Sequence, residues 1–375
     1  VGESFTDPVF GSFKLDFAGL NVDEDSTARE VIELIPNGDD QMDVKFMDHR
    51  GLEKTVTFLQ NETGSLDLEY DEDDHQIHVM EMNNITYKDY VVVGNEDEGH
   101  LLRLHQVDNV SGTSQTNDYA KFTDVFSNDV LETTWTTEGS GTLTVGGKSY
   151  AVTLSGAAAG ASETYSVMLN YPDSSGADDA IIYPTIQTSK GAKVFFYEPT
   201  TIDLNNWDNT ASDLATLKFP DGDGYTDVTF SYVGGAAGAS NWTVAGAVTS
   251  ATLETEVVEG LTATIGQLSY NVTGSGTANE TTVYLNDVAG NPIVVPALVI
   301  FEEKDDNNEY QAMIVKMEYG ASSDDGLGID DVERTWWSDS TTWEDNMPGN
   351  SDIKKESDLW GTIVTSDSYD SDQKS

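Results

Sequence analysis

Two acidic loops hold the residues best suited to chemistry, because they place several carboxylates close together beside glycines. They read FPDGDGYTD at 219–227 and SSDDGLGIDDVE at 322–333. Oxygen ligands spaced along a tight turn suit Ca²⁺, a hard cation that takes roughly six to eight of them. The first loop lacks the terminal Glu and the spacing of an EF-hand, and a solvated acidic turn remains the alternative for both loops. The candidate metal ligands are Asp221, Asp223, Asp227, Asp324, Asp325, Asp330 and Asp331.

Catalytic motifs are not found in the chain. HExxH, GxSxG and GxxxxGK[ST] do not occur, and there is no cysteine to act as a nucleophile or thiolate ligand. His75 and His78 lie three residues apart, which on a strand places them on opposite faces and favours ordinary surface histidines over a shared zinc site. With 67 acidic residues, no glycosidase-like carboxylate pair can be singled out. The sequence therefore predicts a protein that is not an enzyme.

The net charge excludes some classes of partner. The chain has 67 acidic and 18 basic residues, which gives a formal charge of −49. Phosphate backbones and anionic lipids are bound through Lys and Arg, so we expect no nucleic-acid partner and no binding to an anionic membrane. Self-repulsion works against such a compact chain unless salt screens it or divalent cations bind. The composition therefore favours a salt-adapted or cation-rich extracellular setting over a simply acidic soluble protein.

A tryptophan cluster and the possible glycosylation sites are a second set of candidate functional residues. Three tryptophans, Trp336, Trp337 and Trp343, could form a sugar-stacking platform, although such clusters more often cover a core or fill a subunit contact. Asn-x-Ser/Thr sequons mark candidate glycosylation sites. They begin at Asn61, Asn84, Asn109, Asn241, Asn271 and Asn279.

Alternating apolar and polar residues predict β-strands along most of the chain. Residues 9–20 alternate in this way, and hairpins are expected around the turns at 48–51 and 71–74 and around the acidic turn within 90–107. Residues 27–35 suit either a short helix or a strand. We predict an all-β chain of tandem Ig-like β-sandwich domains with little helix. The expected divisions are an N-terminal β domain (1–115), two sandwich repeats (116–205 and 206–319) and a C-terminal segment (320–375).

One short sequence occurs twice, 120 residues apart. Residues 144–156 read TVGGKSYAVTLSG and residues 264–276 read TIGQLSYNVTGSG, with eight of thirteen positions identical. A two-residue loop that begins with Gly predicts a hairpin, because Gly adopts positive φ at little cost. Pairing Val145 with Lys148 places the apolar residues of each copy on one face. We interpret the repeat as a duplicated sandwich domain, with chance similarity between Thr- and Gly-rich strands as the alternative.

Three further stretches resemble surface-layer (S-layer) proteins of archaea, especially those of small, nanohaloarchaeal-like lineages. They are DPVFGSFKLDFAGLN near the start, KDYVVVGNEDEGHLLRLHQVDN at 88–109 and LWGTIVTSDSYDSDQ near the end. The resemblance covers the first ~110 and last ~60 residues best. It implies secreted β-sandwich domains tiled into a two-dimensional lattice around the cell, often with Ca²⁺ and glycans. It also implies that the N- and C-terminal parts lie together, with the repeats as a middle arm.

The sequence thus predicts a halophilic, secreted structural subunit that self-assembles with copies of itself on the cell surface. The alternatives are a cell-surface adhesin or carbohydrate-binding module and a subunit of an extracellular filament. The start at Val1 is consistent with a mature chain whose signal peptide has been removed. The longest apolar run, at 293–301, is too short to span a bilayer and contains Pro296.

Overall fold

The computed structural model consists of β-strands and connecting turns. The chain divides into two compact units, Val1–Val31 and Ile32–Ser375. Among the described residues no helix has the length and apolar character needed to cross a membrane. The structure describes residues 4–6, 14–16, 31–37, 41–62, 65–68, 77–79, 83–94, 99–108, 119–137, 139–155, 166–170, 178–203, 214–222, 224–232, 242–246, 261–265, 267–274, 280–301, 312–319, 327–334, 354–355 and 364–365.

The strands are numbered in chain order. The first fifteen are β1 (Ser4–Thr6), β2 (Lys14–Asp16), β3 (Glu33–Asn37), β4 (Gln41–Met47), β5 (Glu53–Glu62), β6 (Ser65–Leu68), β7 (Ile77–His78), β8 (Tyr90–Gly94), β9 (Gly99–Asp108), β10 (Tyr119–Asp124), β11 (Val130–Glu132), β12 (Thr134–Thr137), β13 (Ser140–Val145), β14 (Lys148–Ser155) and β15 (Ser166–Asn170). The others are β16 (Asp178–Ile181), β17 (Thr185–Gln187), β18 (Lys193–Tyr197), β19 (Thr200–Asp203), β20 (Leu214–Pro220), β21 (Tyr225–Tyr232), β22 (Trp242–Gly246), β23 (Leu261–Ile265), β24 (Leu268–Gly274), β25 (Glu280–Leu285), β26 (Ala297–Phe301), β27 (Ala312–Tyr319), β28 (Leu327–Arg334), β29 (Lys354–Lys355) and β30 (Val364–Thr365).

Six small sheets in the second unit form a six-bladed β-propeller arrangement, and we call these sheets blades. Blade 1 is β3-β4-β5-β6, blade 2 is β11-β10-β9-β8-β7 and blade 3 is β12-β13-β14-β15. Blade 4 is β16-β20-β21-β22, blade 5 is β19-β25-β24-β23 and blade 6 is β17-β18-β26-β27-β28. Pairing within the blades is antiparallel except for β7 with β8 and β16 with β20. Strands β1 and β2 pair in the first unit, and β29 pairs with β30.

The prediction of an all-β chain is confirmed, but the prediction of tandem Ig-like sandwiches is wrong. Residues 178–203 supply β16 to blade 4, β17 and β18 to blade 6, and β19 to blade 5. Strands predicted to belong to two successive domains therefore pair with each other, as Phe195 of β18 does with Val299 of β26. Neighbouring strands also pair across the expected divisions at 115/116 and 319/320, since β9 pairs with β10 and β27 with β28.

Both copies of the repeated sequence form the predicted hairpin. In the first copy Val145 pairs with Lys148, and in the second Ile265 pairs with Leu268. Gly146 and Gly147 have φ of 54° and 79°, the positive values that a tight hairpin turn requires. The apolar face is buried as expected in each copy. Its fully buried members are Leu143, Val145, Tyr150 and Val152 in the first hairpin, where the predicted fifth member Leu154 is only half-buried, and Ala263, Ile265, Leu268, Tyr270 and Val272 in the second.

The shared unit extends one strand further than the hairpin. In blade 3, β14 pairs with β15, and in blade 5, β24 pairs with β25, so both copies form a three-stranded meander. The fourth strand differs, because β12 lies beside β13 whereas β19 lies beside β25. The duplication is therefore a meander placed in two blades of different construction.

Of the other predicted hairpins, two are confirmed and one is wrong. The hairpins around 48–51 and within 90–107 are confirmed as β4–β5 and β8–β9, and 33–37 is a strand. The hairpin around 71–74 is wrong, because β6 pairs in blade 1 and β7 in blade 2. The predicted strand at 9–20 contains β2, and its remaining residues lie outside the described part of the chain.

Buried tyrosines and phenylalanines join the blades. Phe196 of blade 6 packs against Phe58 of blade 1, with ring centroids 5.4 Å apart, and against Phe126, 4.9 Å away. The Tyr197 hydroxyl donates to the carbonyl of Ile293 at 2.6 Å. The phenylalanine pairs bury a large apolar area, and Tyr197 adds a satisfied hydroxyl that fixes the position of the backbone at Ile293.

Candidate functional site

Asp221, a predicted calcium ligand, lies in the turn between β20 and β21 with its carboxylate engaged by that turn. One oxygen accepts a hydrogen bond from the backbone N–H of Gly224 at 2.9 Å, and the other accepts the hydroxyl of Thr226. The negative charge of Asp221 also contributes, after burial, to raising the pKa of the Tyr270 hydroxyl well above its usual value. The carboxylate is thus already a cap for its own turn.

The other candidate ligands in the described part of the chain lie on strands and not in the turn that holds Asp221. Asp227 is on β21, where its exposed carboxylate lies 3.4 Å from the Lys218 ammonium across the strand pair. Asp330 and Asp331 are in β28, and Asp331 is opposite Lys316. Within the described residues no group of three or more His, Asp or Glu side chains converges on one point. Asp223, Asp324 and Asp325 lie outside the described residues, and the calcium site stays a prediction.

Three of the six sequon asparagines lie in the described part of the chain. Asn84 is exposed and accepts a hydrogen bond from the Ser166 hydroxyl at 3.3 Å. Asn271 is on the polar face of the second hairpin, where it accepts the Thr262 hydroxyl at 2.7 Å. Asn61 is half-buried in β5 opposite Leu66. Asn109, Asn241 and Asn279 lie outside the described residues, as do the predicted platform residues Trp336, Trp337 and Trp343.

His78 is buried, contrary to the expectation of a surface histidine. Its Nε2 lies 3.0 Å from Asp89 Oδ2, and only 6% of the residue is exposed. Burial raises the pKa of Asp89, but hydrogen bonds from His78 and from the N–H and hydroxyl of Thr86 outweigh it, so the pKa lies below its usual value. The pair anchors the turn that precedes β8. Its partner in the sequence prediction, His75, is outside the described residues.

A small cleft of about 160 Å³ is lined by three aspartates, two of which, Asp48 and Asp124, lie at the ends of strands. Asp48 follows β4, where one oxygen accepts the N–H groups of Arg50 and Leu52 at 3.0 and 2.9 Å. Its other oxygen is 3.3 Å from the Arg50 guanidinium and 3.7 Å from the Lys54 ammonium. Burial raises the pKa of Asp48, yet these hydrogen bonds and charges outweigh it and hold the pKa below its usual value.

The second carboxylate of the cleft pairs with a histidine. Asp124 Oδ2 lies 2.7 Å from His100 Nδ1, and its Oδ1 accepts the N–H groups of Phe126 and Ser127 at 2.9 and 3.3 Å. A carboxylate in this position orients an imidazole, as it does beside catalytic bases. Here Asp48 and Asp124 also bind the backbone of their own turns. The geometry therefore supports a structural role, which is to fix the turns at 48–52 and 124–128.

A larger pocket of about 400 Å³ has the opposite charge, and we call it the basic pocket. One wall is blade 2, where Tyr90, Arg103 and Thr123 lie side by side on three neighbouring strands. The guanidinium carbon of Arg103 is 5.5 Å from the centroid of the Tyr90 ring, a cation–π contact. The pocket is lined by Thr55, Val56, Thr57, Tyr87, Lys88, Tyr90, Arg103, Leu104, His105, Thr123, Val125 and Asn128.

The sequence analysis did not identify this pocket. A signal was present, because Lys88, His100, Arg103 and His105 fall within 18 residues of a chain that has only 18 Lys and Arg in total. Three of the four line the pocket. The concentration of Lys, Arg and His residues in this short stretch was therefore the sequence signal for the pocket.

Comparison of the chain with protein-family models, with curated proteins and with solved structures finds no match. The case for a function therefore depends on the charge, the fold and the sites described above.

Proposed function

We propose that this chain is a structural, non-catalytic subunit of an extracellular protein lattice that assembles from copies of itself in salt or divalent cations. The observation that carries the proposal is the net charge of −49 on 375 residues. The all-β propeller arrangement supplies small blades joined by aromatic contacts, which suits a surface protein that must resist mechanical stress. The resemblance of three stretches to archaeal S-layer proteins supports the same reading.

Because of the net charge, assembly should depend on the concentrations of salt and divalent cations. Two copies repel each other over a distance set by the screening length, which is about 8 Å at physiological salt and about 3 Å at 1 M. When the screening length is shorter, two copies can approach closely enough to form apolar contacts and hydrogen bonds. Ca²⁺ held by carboxylates would have the same effect locally. Glycans on exposed sequons such as Asn84 would leave the blades free to pack.

Negative-stain microscopy tests the proposal directly. Purified protein should be monomeric in dilute buffer and form regular sheets or closed shells when NaCl is raised to about 1 M or when Ca²⁺ is added. Parallel samples with EDTA separate the effect of cations from that of ionic strength. Particles that stay strictly monomeric under all these conditions would refute a lattice function, and fibres would favour the filament alternative.

A carbohydrate-binding surface module is the second candidate, and the basic pocket is the observation that favours it. Tyrosine rings, threonine hydroxyls and a space of about 400 Å³ are features of small-ligand sites. Glycan-array binding by the wild-type chain tests this candidate. Loss of binding in Trp336→Ala with Trp343→Ala would assign it to the tryptophan cluster, whereas retention would direct attention to the pocket.

A further inference from the structure

The blade 2 wall of the basic pocket presents a positioned guanidinium. Arg103 is in β9 between Tyr90 of β8 and Thr123 of β10, and the three side chains share one face because directly paired residues do so. Contact with the Tyr90 ring orients the guanidinium at 5.5 Å. Arg103 is in none of the ion pairs found in the described part of the chain. A half-buried guanidinium with five N–H donors is well suited to bind an oxyanion.

Backbone conformation brings two more residues to the same space. Lys88 has a φ of 73°, a value that costs a lysine about 1–2 kcal/mol, and Asn128 has a φ of 56°, which Asn adopts more readily. Hydrogen bonds hold Lys88 in place, since its N–H donates to the Leu104 carbonyl and the Leu104 N–H donates to the Asp89 carbonyl. Of three non-glycine residues with positive φ in the described residues, two line this pocket. Such outliers concentrate at functional sites.

The charge of the pocket contrasts with the rest of the molecule. Lys88, Arg103 and His105 line it, and none of the twelve lining residues in the described part of the chain is Asp or Glu. At the composition of the whole chain, twelve residues would include roughly two acids. The nearby carboxylate of Asp43 accepts the Thr57 hydroxyl at 2.6 Å. A basic pocket in a chain of charge −49 is therefore a specific feature.

We propose that the basic pocket binds a carboxylate, sulfate or phosphate group of a small ligand. Arg103 and Lys88 supply charged donors, and the hydroxyls of Thr55 and Thr123 with the amide of Asn128 supply neutral donors. The Tyr90 ring offers an apolar surface to the part of the ligand next to the anionic group. This inference is independent of the lattice proposal, because it concerns a pocket within one chain.

The net charge gives the proposed binding an unusual dependence on salt. At 0.01 M ionic strength the screening length is about 30 Å, so the whole acidic chain repels an approaching anion. At 1 M it is about 3 Å, and the cations of the pocket act nearly alone. Affinity for an organic oxyanion should therefore rise with salt, the reverse of an ordinary basic site. Potassium fluoride is the salt of choice, since fluoride is small and strongly hydrated.

Isothermal titration calorimetry tests the proposal on the full chain, in resin-treated buffer that contains neither divalent cations nor chelator and at salt concentrations where light scattering shows monomers. The probes are sulfate, phosphate and galacturonate, with galactose as the neutral counterpart of galacturonate. Arg103→Gln and Lys88→Asn are expected to raise the Kd about 10-fold or more, because each removes a charge-assisted hydrogen bond. Asn also tolerates positive φ, so Lys88→Asn keeps the turn. Lys218→Gln removes one charge at the contact with Asp227 in blade 4, away from the basic pocket, and is the matched control.

The outcomes separate the possibilities. Binding of galacturonate but not galactose, weakened in both pocket variants and unchanged in Lys218→Gln, would support the proposal. A preference for sulfate or phosphate would identify the anionic group. No binding of any probe at about 10 mM, equal binding of galactose, or an affinity unaffected by Arg103→Gln in a variant with wild-type circular dichroism would each overturn it. None of these results bears on whether the protein forms a lattice.

Discussion

The duplicated hairpins offer a matched pair of mutations, Tyr150→Phe and Tyr270→Phe. The two tyrosines occupy equivalent positions in their meanders, and both are fully buried. Each hydroxyl reaches the backbone at the end of a strand in a neighbouring blade, Gly94 of β8 in one case and Pro220 of β20 in the other. Phe keeps the ring and its packing, so the substitution removes only the hydroxyl and its hydrogen bonds.

The number and length of those hydrogen bonds differ between the copies. Tyr150 accepts the Gly94 N–H at 2.8 Å and donates to the Gly94 carbonyl at 2.5 Å. Tyr270 makes one long bond, 3.4 Å, to the Pro220 carbonyl. Losing the partner of a buried polar group costs about 1–3 kcal/mol, and a long bond contributes at the low end of about 0.5–1.5 kcal/mol. We expect Tyr150→Phe to lower the free energy of unfolding by about 2–4 kcal/mol and Tyr270→Phe by about 0.5 kcal/mol.

Urea unfolding at pH 7 in about 1 M salt measures the difference, with circular dichroism to confirm the fold of each variant. Tyr284→Phe, at a half-exposed position of β25, is the control for loss of a tyrosine hydroxyl in general. The reasoning would be refuted if the two buried variants lost equal stability, or if Tyr270→Phe lost more. Either result would mean that the hydroxyl bonds do not determine how strongly these blades are joined.

Four further outcomes are expected. Gly99→Ala should lower stability by about 1–3 kcal/mol, because a Cβ would lie 2.5 Å from the Tyr225 hydroxyl oxygen; an unchanged urea midpoint would contradict this. The lowered pKa of Asp89 stabilises the fold above pH ~4, and this is lost as pH falls through the folded pKa, so Asp89→Asn should flatten the acid limb of a stability–pH curve. Burial raises the pKa of Tyr225 to about 12, so stability should fall as pH rises from ~10 through about 12, and Tyr225→Phe should make that fall shallower, the remainder coming from other buried tyrosines such as Tyr270. Asp221→Asn should lower the Tm in EDTA as well as in Ca²⁺, because the carboxylate caps the Gly224 N–H; a loss in Ca²⁺ alone would instead show that cation binding is its main role.

Local structure could be predicted from the sequence because its causes are local. The alternation of Leu143 and Val145 with threonines, followed by two glycines, determines both the buried face and the register of the hairpin. The turn at 48–51 was predictable for the same reason, since Gly51 supplies a φ of 76°. In these cases each residue type favours one geometry over the alternatives.

Sheet membership could not be predicted because the decisive strands are buried on both faces. All five residues of β8, of β18 and of β26 are buried. A continuous apolar run shows that a strand lies inside, but it does not show which strands flank it. The basic pocket was missed for a related reason. Its parts come from β5 and from the region 87–128, and only the pairing of strands brings Tyr90 beside Arg103.

The interleaving of blades 4, 5 and 6 has consequences for how the chain folds. Their first strands come from residues 178–203, but each blade is completed only by strands between 214 and 334. Lys193 pairs with Phe301, so β18 and β26 close a loop of about 100 residues, which costs about 2 kcal/mol more than a loop of about ten. Blades 1–3, in contrast, are built from consecutive strands. None of the three interleaved blades can be completed while residues 178–203 are unpaired, so these blades should form and unfold together.

One copy of the duplicated meander lies in each of the two groups of blades, as β13–β15 in blade 3 and β23–β25 in blade 5. The same meander is thus found in a blade built from consecutive strands and in a blade completed by a distant strand. The two blades differ in the fourth strand, which is close in the chain in blade 3 and distant in blade 5.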